Sequence, residues 1–191
     1  REKLMDELQL ITGCKRGESW ARKELYELHA PAMMSVCMRY VNDRETAKDL
    51  MQDGFVKVFT KIHTYSGTGS FNGWMRRVFV TTALEHLRRN DILRVTSDIN
   101  EYDEAMESGD VSALEQLSVN EILACVAKLP NGYRTVFNLF VIEGYSHSEI
   151  ADMLGINEST SRSQFIRARK ILQKNVESLI MHENAAERKK I

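Results

Sequence analysis

Residues Gly144–Lys170, GYSHSEIADMLGINESTSRSQFIRARK, decide the fold of the second half of this chain. Ser146 and Glu149 form the S-x-x-E pattern of a capping box, which predicts a helix over residues 147–154. Gly155 follows, and glycine adopts at little cost the left-handed conformation that ends many helices. Because the next residues are again helical in pattern, the stretch has the sequence form of a helix-turn-helix.

The second helix of this pair, which Asn157 is suited to cap, has two unlike faces. At about 100° per residue, one side collects the residues that we expect to face the core: Ser161, Phe165, Ala168 and Leu172. The other side and its flanks carry short hydrogen-bonding groups first and cations further along: Ser159, Thr160, Arg162, Ser163, Gln164, Arg167, Lys170 and Lys174. Ile166 also points outward, and the pattern does not explain it.

The outward side suits a helix that lies in the major groove of DNA. There the first turns meet base edges, with which serine, glutamine and arginine pair, while the cations neutralise phosphates. Only one acidic residue, Glu158, lies between Ile156 and Lys174, whereas an ordinary solvated helix mixes charges for i,i+4 pairing. A solvated face is the alternative interpretation, but the capped helix and the glycine turn in front favour DNA binding.

The composition of the whole chain favours an all-α protein. Of 191 residues, 43% are hydrophobic and 28% charged, which is enough apolar material for real cores, and only two residues are proline. The net charge of -1 does not by itself indicate nucleic-acid binding. The three cysteines lack metal-ligand spacing, and no phosphate loop or paired nucleophile and base indicates an enzyme. We therefore expect no enzymatic activity, no metal and no cofactor.

No signal-peptide layout and no run of about 18 apolar residues is present, so we expect a cytoplasmic protein that does not itself insert into a membrane. The sequence starts at Arg1 rather than at a methionine, so we also expect the natural chain to begin upstream of it.

The first half reads as a helical domain over residues 1–90. A first helical block covers about residues 3–40, and we expect Gly13 and Gly17 to interrupt its early part. A second helix begins after the caps Asn42 and Asp43. Its apolar face carries Ala47, Met51, Phe55, Val58 and Ile62, and its opposite face carries Asp49, Gln52, Asp53 and Lys57. A glycine-containing loop over residues 64–73 leads to a helix over residues 74–89, whose ends are basic.

The helical pattern dissolves between the two halves. Residues 90–115 contain eight acidic residues and one arginine, a composition typical of a flexible tether. We therefore expect two small helical domains joined by an acidic linker over residues 91–115. The second domain then covers residues 116–182, and residues 183–191 form a frayed tail.

Blocks from both halves resemble one family. LPNGYRTVFNLFVIEGYSHSEIADMLGI, which begins at Leu129, is similar to the C-terminal domain of bacterial RNA polymerase sigma factors of the extracytoplasmic-function (ECF) group. DLMQDGFVKVFTKI, from Asp49, and YSGTGSFNGWMRRVFVTTALEHLRR, from Tyr65, resemble the N-terminal promoter-melting domain of the same group. The resemblance covers nearly the whole chain in the same order, with a linker between the blocks.

The resemblance implies three sets of contact residues. The family's DLxQ(E/D) segment docks on a coiled coil of the polymerase β′ subunit, which here nominates Asp49, Gln52 and Asp53. A loop that captures a base flipped from the minus-ten element, and the helix after it, correspond to Tyr65, Ser66, Gly67, Ser70, Phe71, Asn72, Trp74, Arg76, Arg77, Arg88 and Arg89. Recognition of the minus-thirty-five element falls to Ser159, Thr160, Arg162, Ser163, Gln164, Arg167 and Lys170.

Each set also has a plainer interpretation. The face around Asp49 can be merely solubilising, the loop can be a helix connection with two aromatic rings packed inward, and the outward side of the second helix can be an ordinary solvated face. Two positions depart from the family, which often has asparagine at Thr81 and an apolar residue at Ser161. The first departure puts one helix contact to DNA in doubt, and the second weakens the packing of the reading helix.

The function implied is that of an alternative sigma factor. Its partners would be core RNA polymerase, through the β′ and β subunits, promoter DNA in double-stranded and melted form, and an anti-sigma factor. Two alternatives remain at this point: a sigma mimic that sequesters an anti-sigma factor without binding DNA, and an ordinary helix-turn-helix regulator. The regulator leaves DLMQDGF and the loop at Tyr65 without a purpose, and a mimic has no need of a one-signed cationic face.

Overall fold

The fold is that of a computed structural model, which describes residues 7–89 and 118–188, with side chains as far as Met181. The described elements are all helical, as the composition predicted. The chain divides into two compact units, Arg1–Asn90 and Asp91–Ile191. The predicted linker over residues 91–115 lies outside the described residues. Within the described part of the chain, no helix combines the length and the apolar character that a membrane crossing requires.

Residues 7–89, the described part of the first unit, form four helices. They are α1 (Glu7–Lys15), α2 (Ser19–Tyr40), α3 (Arg44–Lys61) and α4 (Phe71–Arg89), with a single 3₁₀ turn, Ile62–Thr64, directly after α3. Helices α2, α3 and α4 pack against one another, and α1 packs against α2 and the 3₁₀ turn. The apolar stripe predicted for α3 is buried except for Met51, which is half-buried.

The break between α1 and α2 falls at Gly17, which has a φ of 78°. Gly13, by contrast, lies inside α1, so the expectation that it interrupts the helix is wrong. A Cβ atom at Gly13 would stand 2.6 Å from the Cβ atom of Ala21 on α2. Glycine is therefore present because the two helices approach closely at this point, which no local pattern in the sequence could show.

Helix α4 begins at Phe71, three residues earlier than the sequence predicted. The hydroxyl of Ser70 accepts a hydrogen bond from the backbone N–H of Gly73 at 3.3 Å, as the side chain of an N-cap residue does. The connection between the 3₁₀ turn and α4 is therefore residues 65–70, which we call the 65–70 loop.

Four helices are also described in the second unit, over residues 118–188. They are α5 (Val119–Ala127), α6 (Asn131–Phe137), α7 (His147–Leu154) and α8 (Glu158–Arg188), and a π-helical turn, Asn138–Ile142, continues α6. One apolar cluster joins α5, α6 and α8 through Val126, Leu129, Tyr133, Phe137 and Ala168. The backbone of α8 continues to Arg188, beyond residue 182, where the sequence placed the end of the domain.

Arg134 is a buried cation that sequence reasoning missed. Its guanidinium donates to the backbone carbonyl groups of Ala127 at 3.1 Å and Leu129 at 3.4 Å, and to Oδ1 of Asn131 at 2.7 Å. Burial lowers the pKa of the guanidinium from its usual value. Because carbonyl groups at the end of a helix lack partners within it, this arginine caps the C-terminal end of α5.

Candidate nucleic-acid interface

The turn between α7 and α8 has the predicted geometry. The hydroxyl of Ser146 accepts from the backbone N–H of Glu149 at 3.2 Å, and the Glu149 carboxylate accepts from the backbone N–H of Ser146 at 2.8 Å. Gly155 closes α7 in the left-handed conformation, with φ 67° and ψ 37°. The capping box, the bounds of α7 and the glycine end are therefore all confirmed.

Helix α8 turns the expected side toward the core. Ser161 and Ala168 are fully buried, and Phe165 and Leu172 are half-buried. Of the outward residues, Ser159, Arg162 and Ser163 are exposed, while Thr160, Gln164, Arg167 and Lys170 are half-buried. All seven side chains predicted to read DNA are thus at least partly exposed to solvent.

Two of the outward side chains already have partners within α8. Arg162 forms an ion pair with Glu158, one turn earlier. The hydroxyl of Ser163 donates to the backbone carbonyl of Ser159 at 2.9 Å. Both pairs are exposed, so an anionic ligand can replace the Glu158 carboxylate at little cost.

The buried Ser161 has a polar partner that the sequence did not predict. Its Oγ lies 2.9 Å from Nδ1 of His147, the first residue of α7. The His147 ring stacks on Phe140 of the π-helical turn, with 4.3 Å between centroids and 9° between planes. Ser161 therefore does not simply weaken the packing of α8, because its hydroxyl is satisfied by a hydrogen bond across the helix pair.

We expect the second unit to lose stability as the pH falls below 6.5. Burial lowers the pKa of His147 below that ordinary value, and the charge of Arg162 lowers it further, while Glu158 acts in the opposite direction. The unfolded chain then takes up a proton at a higher pH than the folded unit does. The stabilisation is therefore complete above pH 6.5 and is lost as the pH falls through the folded-state pKa.

Urea unfolding of the wild type and of His147→Phe, at about pH 7.5 and about pH 5.5, measures this effect. The wild type should lose more stability over that interval than the variant, because phenylalanine keeps the stacking surface and cannot titrate. Equal losses in the two proteins would contradict the assignment to His147.

In the first unit, Tyr65 organises the 65–70 loop. Its ring is buried against Phe71 and Trp74, at centroid distances of 5.2 and 5.7 Å. Its hydroxyl donates to the backbone carbonyl of Gly69 at 2.7 Å, and its own carbonyl accepts from Nζ of Lys15 at 2.9 Å. The residue is thus held at both ends of its side chain and at its backbone.

The burial of Tyr65 and Phe71 favours, for these two rings, the plainer interpretation of the loop, in which aromatic rings pack inward. Only 8% of Tyr65 and 2% of Phe71 is exposed, so neither ring forms a surface against which a base stacks. Trp74 is half-buried and carries the accessible aromatic surface. The small residues and the asparagine of this set are exposed, namely Ser66, Gly67, Ser70 and Asn72. Gly67 has a φ of 83°, and a Cβ atom there would meet open space.

Cations follow on α4. Arg77, Arg88 and Arg89 are exposed, and Arg76 is half-buried. Arg89 lies 3.8 Å from the carboxylate of Glu85, an exposed pair of little energetic weight. The basic ends that the sequence predicted for this helix therefore reach its surface.

A groove of about 110 Å³ opens beside these cations, between α3 and α4. Its walls include Trp74 and Arg77, together with Lys57, Lys61, Val78, Thr81, Thr82 and Glu85. Lys57 and Glu85 form an ion pair of 2.6 Å within it, and the hydrogen bond from Lys57 lowers the pKa of the Glu85 carboxyl. Sequence reasoning placed Lys57 on the polar face of α3 but did not join it to α4, because 28 residues separate the partners.

A separate polar surface lies on α3 itself. Asp49, Gln52 and Asp53 are all exposed, and their spacing of three and four residues places them on one side of the helix. Asp43 is the N-cap residue of α3, as the sequence predicted. Its carboxylate accepts a hydrogen bond from the backbone N–H of Thr46 at 2.7 Å. Among the described residues, no group of three or more histidine, cysteine, aspartate or glutamate side chains is arranged to hold a metal ion.

Comparison with known proteins identifies the family. The family model for Sigma-70 region 2 matches residues 25–92, and that for Sigma-70, region 4 matches residues 119–172. The RNA polymerase sigma-H factor of Pseudomonas aeruginosa is 28% identical over 184 residues, which cover 90% of this chain and 94% of that protein. The ECF RNA polymerase sigma-E factor of Haemophilus influenzae is 27% identical over 191 residues, covering 94% and 99%. The chain is an ECF sigma factor.

A solved structure has the same fold as this ECF sigma factor. It is the sigma factor RpoE in complex with the anti-sigma factor NepR from Bartonella quintana, with a TM-score of 0.50 and 19% sequence identity. The similarity covers 81% of this chain and 96% of that one.

The region 2 match of the ECF sigma factor begins at residue 25, inside α2. It includes the polar surface of α3, the 65–70 loop and all of α4, and it leaves α1 outside. The region 4 match runs from the start of α5 into α8 and includes every residue assigned to upstream reading. Both sets of DNA-contact candidates therefore lie within matched regions.

Proposed function

We propose that this ECF sigma factor, which directs promoter-specific initiation by core RNA polymerase, divides that task among three surfaces of its two units. The outward side of α8 reads the upstream element, the 65–70 loop with α4 captures the melted minus-ten strand, and the polar surface of α3 binds core polymerase. The observation that carries the proposal is the arrangement of α8. Its outward side carries cations and hydroxyl groups and lies opposite a buried side, and α8 follows the capped helix α7 and the left-handed Gly155 in the chain.

The upstream surface combines the two kinds of contact that sequence-specific binding needs. Ser159 and Ser163 stand on the first two turns, where an inserted helix meets base edges. Arg162 pairs with guanine edges or phosphates once it leaves Glu158, and Arg167 and Lys170 lie further along, where phosphates run.

The 65–70 loop and Trp74 offer contacts that suit a single DNA strand. Trp74 offers the aromatic surface on which an unstacked base can lie, and the exposed hydroxyls of Ser66 and Ser70 offer hydrogen bonds to its edge. Arg77 stands one turn beyond Trp74 in the groove wall, within reach of the strand's phosphates. The buried Tyr65 and Phe71 support Trp74 from beneath.

Run-off transcription with purified core polymerase tests the function directly. The protein should direct initiation from a subset of promoter fragments, and catalysis remains with the polymerase. Failure to direct initiation at any promoter, with no anti-sigma protein present, would overturn the proposal. We place this activity in the cytoplasm, where core polymerase and the chromosome meet.

The proposal includes an anti-sigma factor as a regulatory partner. It is supported by the solved relative from Bartonella quintana, which is itself in complex with an anti-sigma factor. A pure sigma mimic would bind such a partner and leave DNA alone, so duplex binding separates the two functions.

The α3 surface gives a separate prediction about polymerase. Asp53→Lys should weaken binding to core polymerase by about tenfold, because a cation replaces a carboxylate that faces the partner. Glu24→Lys is the matched control, since Glu24 is also exposed and the charge change is the same. Fluorescence anisotropy with labelled protein measures both affinities. If both variants lose affinity equally, or neither does, the α3 surface is not the contact.

A further inference from the structure

Helix α1 lies outside the part of the chain that the region 2 family model matches, which begins at residue 25. It is nonetheless joined to the 65–70 loop. The helix packs against α2 and against the 3₁₀ turn that leads into the loop. From its last residue, Lys15, the ammonium Nζ donates a hydrogen bond to the backbone carbonyl of Tyr65 at 2.9 Å.

The carbonyl group that accepts this hydrogen bond lies at the start of the 65–70 loop. Tyr65 is the first loop residue, and its backbone N–H donates to the carbonyl of Ile62 at 3.2 Å. Its hydroxyl reaches forward to Gly69, near the other end of the loop. The orientation of the peptide between Tyr65 and Ser66 therefore sets the direction in which the exposed part of the loop leaves the core.

The contact with Lys15 differs in kind from the other hydrogen bonds described for residues 65–70. Those bonds stay within residues 62–74, as between the hydroxyls of Ser66 and Thr68 at 2.6 Å or from Trp74 to the carbonyl of Ser70 at 3.0 Å. The bond from Lys15 spans 50 residues of sequence and ties the loop to another helix. It is charge-assisted, and such bonds are stronger than those between neutral groups.

The loop depends on such a tie because its exposed part is not braced by packing. Gly67 and Gly69 both adopt positive φ angles, 83° and 76°, and a Cβ atom at either would meet nothing within 4 Å. Glycine in this setting permits many backbone conformations, and ordering them on binding costs conformational entropy. A fixed direction for the start of the loop lowers this entropic cost of binding the strand.

We propose that Lys15 is a positioning residue for promoter melting: α1 braces the 65–70 loop through the Tyr65 carbonyl, and the brace raises affinity for the unpaired strand. Lys15 itself contacts no DNA. The inference rests on the proposed function of the loop and adds to it a role for a helix that precedes the matched region.

The test compares Lys15→Met, Lys15→Arg and a matched control, Lys23→Met, all in the full chain bound to core polymerase. Lys23 is an exposed lysine on α2 whose partner is Glu27, 3.8 Å away. The probe is a fork-junction DNA, unpaired across the minus-ten element of a promoter that the wild type uses in run-off transcription. A fully paired upstream fragment of the same promoter serves as the second probe.

Lys15→Met should bind the fork about five- to tenfold more weakly than the wild type and bind the paired fragment equally well. Lys15→Arg, which still donates to the carbonyl, should come within about twofold of the wild type, and Lys23→Met should have no effect. The salt dependence distinguishes positioning from direct contact: loss of a phosphate contact lowers the slope of log affinity against log salt by about one, whereas loss of the brace leaves it unchanged.

Wild-type affinity in Lys15→Met, or a reduced salt slope, would overturn the positioning role and leave the proposed function standing. Failure of the wild type to bind the fork more tightly than a scrambled fork would instead overturn the proposed function of the loop, and the inference with it. Loss of this one hydrogen bond should leave the first unit of Lys15→Met folded, with the circular dichroism spectrum of the wild type. A spectrum that shows loss of helix in Lys15→Met would count against positioning.

Discussion

Replacing Arg162 and Arg167 together by glutamate should weaken binding to the upstream promoter duplex by about a hundredfold or more. Each arginine that contacts a base or phosphate contributes about 1–3 kcal/mol, and the introduced carboxylates repel the DNA backbone as well. The change at residue 162 also places a second carboxylate one turn from Glu158, where the wild type has an ion pair. The outward side of α8 then changes from cationic to mixed.

Electrophoretic mobility shift with a promoter fragment measures this loss. The matched control is the pair Lys23→Glu and Lys128→Glu, which changes the net charge equally on exposed residues outside α8. Binding to core polymerase should be unchanged in both proteins, because none of the four substituted positions lies on the polar surface of α3. Undiminished duplex affinity in the arginine variant would show that α8 is not the reading helix and would favour the sigma mimic.

The second large effect concerns stability, and it arises at Gly54 on α3. A Cβ atom there would stand within 2.7 Å of three ring atoms of Phe79 on α4, a buried residue that also packs edge-on against Phe55. Gly54→Ala should therefore lower the free energy of unfolding of the first unit by about 2 kcal/mol or more. The overpacking cost has to exceed the gain of about 1 kcal/mol that alanine brings to a helix.

Gly73→Ala is the informative control for this change. Gly73 is also helical, but it is exposed, and its Cβ atom would meet Ser70 at an ordinary 3.8 Å. Only the propensity gain then remains, so this variant should be as stable as the wild type or more stable. Urea unfolding followed by circular dichroism measures both. A stable Gly54→Ala would mean that α3 and α4 separate more easily than their packing indicates.

The elements near the helix-turn-helix were the most predictable part of the fold. Ser146, Glu149 and Gly155 act within one or two turns of chain, so their residue types alone indicate where α7 starts and stops. The Asp43 cap of α3 is a signal of the same kind. The error at Gly13 is instructive, because glycine serves equally as a helix breaker and as a small residue between close helices, and only packing distinguishes the two roles.

The candidate site divides in the same way. The outward side of α8 and the polar surface of α3 follow from helical periodicity, and the structure places those side chains at the surface. The sequence left the orientation of the loop aromatics open, because a tyrosine or phenylalanine in a loop packs inward or outward with no local signal. Tyr65 and Phe71 turned inward, and Trp74 was left as the accessible ring.

The amino-acid sequence by itself determined the ends of α7, the start of α3, the faces of α3 and α8, the charge of the outward side of α8 and the membership of two blocks in one family. Tertiary structure alone decided the pairings between distant residues: His147 with Ser161, Lys57 with Glu85, and Lys15 with the carbonyl of Tyr65. The physical reason is range. Caps and periodicity act between residues a turn or two apart, whereas a buried or bridging polar group takes whichever partner the packed helices bring within about 3 Å of it.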